Sequence, residues 1–149
     1  MTDFIATVSP DALGNWAICK ANGVWGVVEK GGSSTGAANG RRVRSGDRVY
    51  VWLGKPKRGN APHGLAALVE ATGPFRPTGN LSDVPWPNPL DYAGTFPIRV
   101  ITELGTPVPD SFRGPDRMGA RFGVQNMALI HGFRAISPEV AARLDAALA

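Results

Sequence analysis

Four tryptophans, Trp16, Trp25, Trp52 and Trp86, are the side chains of this 149-residue chain best suited to hold a planar ligand. Trp16 falls on the apolar face of a helical segment and Trp52 in the middle of an apolar run, so both read as core. Trp25 differs, because Gly23 and Gly26 flank it. Neighbours without side chains let a flat molecule approach an indole face. Trp86 stands between Pro85 and Pro87 in a proline-rich stretch, residues 73–94, where burial is not forced. An exposed aromatic on such a loop suits stacking on a nucleobase, worth ~1–3 kcal/mol per base. The other reading is that Trp86 pins its loop to the body of the protein. Residue chemistry leaves both open.

Catalytic chemistry finds less support. A serine–histidine–aspartate set exists by residue type, but neither His63 nor His131 sits in a recognisable context. Cys19 lies within a helical pattern, where a small buried thiol is the simplest role. Glu29, Glu70 and Glu103 are scattered. One cysteine excludes an internal disulfide and a cysteine-built metal site, and two histidines would need carboxylates to complete one. Gly31–Gly36 is no phosphate-cradling loop, since no Gly-Lys-Ser/Thr ends it. The expectation is a binding protein without catalysis, cofactor or metal. A small-molecule enzyme using the same pocket is the alternative, and a scaffold with a vestigial pocket is the third reading.

Charge narrows the partner. The net charge is +4, the pI is about 9.7, and twelve of the sixteen basic residues are arginine. Arginine favours planar and phosphate-bearing partners. A GC-rich genome would produce the same bias without any binding role. Seven basic residues, Arg41, Arg42, Arg44, Arg48, Lys55, Lys57 and Arg58, lie within 41–58 against one acid, Asp47. They form either a phosphate-facing surface or a solvated loop. Hydrophobic residues make up 43% of the chain, enough for a core, and no apolar run reaches the ~18 residues of a membrane span. The first residues lack a basic region followed by an apolar one, so no secretory signal is read. A single cytoplasmic domain over residues 1–149 is expected.

The elements that must position these residues follow from pattern and punctuation. Residues 4–8 read as a strand. Ser9-Pro10-Asp11 opens a helix that ends at Asn22-Gly23, with Leu13, Trp16 and Ala17 as its inward stripe. Residues 24–28 are a strand, and the glycine-rich segment after it reads as a loop as far as the Gly46-Asp47 turn. Residues 48–53 and 64–71 are strands paired antiparallel. A long loop over 73–94 precedes a strand at 95–104, whose Pro97 suggests an edge or a strand start. Residues 126–131 are a short strand or helical turn. Ser137-Pro138-Glu139 caps a terminal helix to about Leu148. Without regular βαβ alternation, the architecture expected is α+β, a small bent sheet or partly closed barrel flanked by helices.

The segment from Asn15 to Val27, NWAICKANGVWGV, resembles the first motif of EVE domains. Gly46-Asp47-Arg48-Val49, Phe96-Pro97-Ile98-Arg99-Val100 and Gly132-Phe133-Arg134-Ala135-Ile136 follow in the family's order, so the resemblance runs from about residue 4 to residue 140. EVE domains are PUA-like and similar to the YTH readers of methylated adenine in RNA. The resemblance implies a PUA-like pseudo-barrel that reads a modified base through an aromatic cage. Trp25, in the Gly23-Val24-Trp25 step, is implied as a cage residue, with Gly26 beside it. Asn15, ten residues earlier, would contact the base edge. Trp86 in the long loop and Tyr92 ahead of Gly94 would complete the cage. Arg121, in Arg121-Phe122-Gly123, would contact phosphate, with Arg41, Arg42, Lys55, Lys57 and Arg58 holding flanking backbone. The family's links to restriction and defence imply modified cytosine in DNA as the first ligand and modified adenine as the next. They also imply a defence partner protein.

Overall fold

The computed structural model describes residues 1–8, 14–28, 34–54, 59, 62–77, 85–87, 91–109, 121–124 and 132–149. The elements in chain order are β1 (Asp3–Val8), α1 (Gly14–Asn22), β2 (Val24–Val28), α2 (Ser34–Gly40), β3 (Arg48–Leu53), β4 (Gly64–Ala71), β5 (Arg76–Pro77), β6 (Tyr92–Val108), β7 (Phe133–Ile136) and α3 (Pro138–Leu148). The strands form one mixed sheet in the order β2-β6-β4-β3-β1-β7, with β5 on β6. It curls into a half-barrel with helices against it, the α+β architecture expected.

Period-two alternation sorts the sheet's side chains into two layers. Phe4, Ala6 and Val8 of β1, with Val49, Val51 and Leu53 of β3, join the larger core together with Trp25, Val27 and Phe96. Their neighbours Ile5, Tyr50 and Trp52 point the other way and pack with Leu65, Ala141, Leu144 and Leu148, so α3 covers that face. β3 is therefore apolar along nearly its whole length, because both its faces are covered. The two central pairings are of opposite sense: β1 runs parallel to β3, and β3 antiparallel to β4.

α3 starts as the sequence indicates. Ser137 Oγ accepts from the Val140 N–H, Pro138 opens the first turn and Glu139 lies at the positive end of the helix. Its far side is clamped to the sheet. Tyr50 Oη donates to Asp145 Oδ1 at 2.5 Å, and Arg48 reaches Asp3 at 2.9 Å and Asp145 at 3.5 Å. Arg48 thus leaves the basic run of residues 41–58 for a structural role.

The fold departs from the sequence pattern at several points. The segment taken as a loop up to residue 46 contains α2, with Ala37 fully buried and Gly40 seated on Val27, where an added Cβ would come within 2.5 Å of its side chain. Tertiary packing holds this helix despite its two glycines. On α1, Ala17 is exposed, and the buried face is Trp16 and Cys19. β6 runs from Tyr92 rather than Thr95, and two residues of the long loop, Arg76 and Pro77, pair with it. Pro97 is neither at an edge nor at the start of its strand. It stands where β6 exchanges partners, facing Val24 of β2, while Ile98 already faces Ala71 of β4. A residue without an N–H costs least at such a break in the ladder. The Ser9-Pro10-Asp11 cap, Leu13 and the 126–131 segment lie outside the described residues.

Candidate functional site

β2 brings Trp25 and Gly26 beside the first residues of β6, and α1 lies against the same strand. Asn15, near the start of α1, donates its side-chain N–H to Tyr92 Oη at 3.1 Å. One turn on, Cys19 sits against the Gly26 backbone. Burial pushes its thiol up to about 12, with backbone hydrogen bonds from Gly26 and its own residue acting the other way. A thiol so held is protonated at neutral pH and is no nucleophile. Burial also pushes the Tyr92 phenol up to about 12, with smaller contributions from Cys19 and Asp91. It is therefore a neutral hydroxyl, able both to donate and to accept.

Trp86 arrives from the long loop and stacks on Tyr92, ring centroids 4.7 Å apart and planes 20° from parallel. Both rings lie over Gly26. A Cβ there would stand 2.6 Å from Tyr92 Cε1 and 2.8 Å from Trp86 Cη2, so only a glycine leaves room for them. Gly26 has no positive φ. The need for glycine is close approach, not backbone conformation. Trp86 is 3% exposed, and its indole N–H is buried without a hydrogen-bond partner. Trp52 Nε1 and Thr7 Oγ1 share that condition among the described residues, but of the three only Trp86 belongs to this cluster. An unpaired buried donor costs ~1–3 kcal/mol.

Asn15, Gly26, Trp86 and Tyr92 thus come together from α1, β2, the long loop and β6. Trp25 is buried next to Gly26, and its ring partner is Trp16, with centroids 6.1 Å apart and planes at 52°. Trp16 in turn donates its indole N–H to Glu103 on β6 at 3.1 Å, and Glu103 also pairs with Lys20 at 2.9 Å. Glu70 bonds Arg99. Two of the scattered carboxylates therefore have structural partners.

The basic residues are divided. Arg41 and Arg42 are exposed just after α2, with the Arg41 guanidinium 6.0 Å from the Phe75 ring centre. Arg121 is exposed, its guanidinium 5.3 Å from the ring of Phe122, which packs edge-on to Trp52 in the layer under α3. Lys55, Lys57 and Arg58 lie outside the described residues. Phe75 was passed over in the sequence, although Gly73-Pro74 beside it marks a turn and an arginine run stands upstream. Gly32-Ser33-Ser34-Thr35-Gly36 carries the Gly-x-Ser-x-Gly spacing of a serine nucleophile turn. Residues 32 and 33 and the Ser34 side chain lie outside the described residues.

No protein-family model matches the chain, and no curated protein does. Solved structures do match over its full length. A hypothetical protein from Leishmania major superposes with a TM-score of 0.65 at 12% identity, covering 99% of this chain and 94% of that one. The YTH domain-containing protein Mmi1, solved with RNA, gives 0.62 at 11%, covering 99% and 82%. The Pho92 YTH domain, solved with m6A, gives 0.56 at 12%, also covering 99% and 82%. At such identities the likeness is one of fold. The chain has an α+β half-barrel similar to that of YTH domains.

Proposed function

We propose that this chain is a non-catalytic reader of a modified nucleobase, with an EVE-like, YTH-like pocket. The observation that carries the reading is the convergence of Asn15, Gly26, Trp86 and Tyr92 in one slot. There a base that parts the two rings can meet two aromatic faces and an amide able to donate and accept. The fold is shared with the YTH domains of Pho92, solved with m6A, and Mmi1, solved with RNA, which supports a nucleic-acid ligand.

The two rings, 4.7 Å apart, leave no gap for a third. A base enters as Trp86 lifts from Tyr92 to a spacing of about 7 Å, two contact gaps of ~3.5 Å. Parting the pair forfeits ~0.5–1.5 kcal/mol. Stacking on the base returns ~1–3 kcal/mol, and an acceptor on the ligand relieves the unpaired Trp86 indole N–H. Trp25 backs the slot through Gly26, Asn15 reads the base edge, and Arg41, Arg42 and Arg121, with Lys55, Lys57 and Arg58, hold phosphates. Modified cytosine in DNA is the first candidate and methylated adenine the second. A restriction or defence protein is the partner class to which the reading points.

Binding of a panel of fluorescent oligonucleotides tests it: DNA and RNA, unmodified or carrying 5-methylcytosine, 5-hydroxymethylcytosine or N6-methyladenine. One modified base is expected to bind tightest. Trp86→Ala should weaken it by roughly 5- to 150-fold, the stacking value. Equal affinity for every base, or wild-type affinity in Trp86→Ala, overturns the reading.

A further inference from the structure

A groove of about 640 Å3 lies between the arginine-rich segment after α2, the start of β1 and the turn leading into β5. Arg41, Arg42 and Arg44 line it, with Phe4, Pro74 and Phe75 as apolar wall. Its one lining carboxylate, Asp47, is 5% exposed and already committed to backbone. Asp47 Oδ1 accepts from the Thr2 N–H at 2.8 Å and Oδ2 from the Arg44 N–H at 2.9 Å. Asp47 therefore braces the turn that presents the arginines and forms no ion pair with their guanidinium groups among the described residues. Arg42 and Arg44 are exposed. Three planar cations around one concavity match phosphate oxygens, which guanidinium binds through paired N–H groups.

The groove also offers a flat face. The Phe75 ring is half-buried beneath the Arg41 guanidinium and occupies the space over Gly94, where a Cβ would come within 2.5 Å of Phe75 Cζ. Gly94 faces Val27 across the β2–β6 ladder, one residue from Gly26, and lies two residues along β6 from Tyr92. Two residues of extended strand span ~7 Å. Gly94 shares the face of Val27 while Gly26 presents the other, so Phe75 and the Trp86–Tyr92 stack lie on opposite faces of the ribbon that ends at β2.

We propose that this groove is a second nucleotide subsite, taking the phosphates and the base of another nucleotide on the single strand whose base enters the slot, the strand passing over the β2 edge. Arg42 and Arg44 hold the phosphates, and the base stacks on Phe75 in place of the Arg41 guanidinium. The assignment to the same strand rests on the slot being a base-reading site; the phosphate and stacking chemistry of the groove does not.

The test compares the full chain with Arg42→Ala/Arg44→Ala and with Phe75→Leu, which keeps apolar bulk and removes the ring face. The probes are a labelled single-stranded nonamer bearing the preferred base, its unmodified counterpart, and the corresponding nucleoside 5′-monophosphate, each over a salt series. The arginine variant should lose roughly tenfold for both nonamers. Its log–log salt slope should fall by about 1.4, two single-strand phosphate contacts at ~0.7 each. The ratio between the two nonamers should persist, since phosphate contacts carry no base information. Phe75→Leu should weaken the nonamers about fivefold or more. An unchanged slope and nonamer affinity in the arginine variant overturns the proposal. A monophosphate that binds as tightly as the nonamer, with the same loss in the arginine variant, overturns the strand assignment in favour of a free nucleotide. If no base is preferred but the slope still falls, the slot reading fails and the groove stands as a phosphate site.

Discussion

Gly26→Ala gives the slot a test of sign that needs no ligand. Replacing a strand glycine whose backbone any residue can adopt normally stabilises a protein by ~0.4–1 kcal/mol, through the loss of unfolded-state freedom. Gly26 meets that backbone condition, having no positive φ. Its surroundings demand the opposite result. The new methyl would lie 2.6 and 2.7 Å from Tyr92 ring carbons and 2.8 Å from Trp86 Cη2. Ordinary carbon contacts are ~3.5–4.0 Å, so the stacked rings must retreat by ~1 Å. Tyr92 is 6% exposed and anchored by Asn15, so the strain falls on the stack. Overpacking of this kind costs ~1–3 kcal/mol. At about 3 °C per kcal/mol for a chain of this length, Tm should fall by roughly 3–9 °C. Open space would instead give a rise of about 1–3 °C. Thermal denaturation followed by circular dichroism measures the shift, and Trp86→Ala supplies the control. In a Trp86→Ala background the same Gly26→Ala change should cost less by about 1 kcal/mol or more, because one of the three close contacts is gone and Tyr92 gains room to move aside. A rise in Tm, or strict additivity of the two changes, would refute the packing described for Gly26.

Further outcomes follow from the same structure. Asn15→Ala should cost ~0.5–1.5 kcal/mol in stability for the lost bond to Tyr92, and should reduce affinity chiefly for the preferred base; equal loss for all bases would show a purely structural asparagine. Arg121→Ala should weaken modified and unmodified oligonucleotides alike and lower the log–log salt slope by about 0.7–0.9; a change in base preference would reverse its role with that of Asn15. Both tyrosines, Tyr50 and Tyr92, hold their protons above the ordinary phenol range, chiefly through burial. The folded state therefore binds protons that the unfolded state releases from about pH 10. Their contribution to stability should be intact below about pH 10 and lost as pH rises through the Tyr92 value of about 12. Ultraviolet titration should show phenolate appearing only with alkaline unfolding, and native-state ionisation near pH 10 would contradict it. Tyr50→Phe removes the hydroxyl that joins Asp145 of α3 to β3 and should lower stability by ~1–3 kcal/mol; urea denaturation checks this.

The strands β1, β2, β3 and β4 were legible in the chain because their apolar and β-branched runs are long relative to their punctuation. Gly23, with φ +64°, and Gly46, with φ +92°, stop and turn the chain where glycine was read as doing so. The cap of α3 was legible for the same reason: Ser137-Pro138-Glu139 is a local signal, satisfied by local bonds. Local energetics settle such features before any long-range contact forms. α2 was not legible, since its sequence STGAANG has weak helix propensity and its seat over Val27 exists only when β2 is in place. Pro97 read as an edge or a strand start, and not as the point where one strand passes from β2 to β4, because that depends on both partners.

The candidate site divides in the same way. Residue chemistry marked Trp25 and Trp86, and the family resemblance added Asn15, Gly26 and Tyr92. Sequence could not show that Trp86 lies directly on Tyr92, that Gly26 is the floor beneath both, or that Trp25 spends its ring on Trp16. Asn15 and Tyr92 are 77 residues apart, and no local pattern encodes a contact at that separation. Nor could the basic run be sorted in advance. Arg48 is drawn into the α3 clamp by Asp3 and Asp145, while Arg41, Arg42 and Arg44 gather around a groove with Phe75. The sequence by itself determined which residue types were on hand for base stacking and phosphate contact. The tertiary structure alone decided which of them face one another, because the curl of the sheet brings distant segments to a common surface.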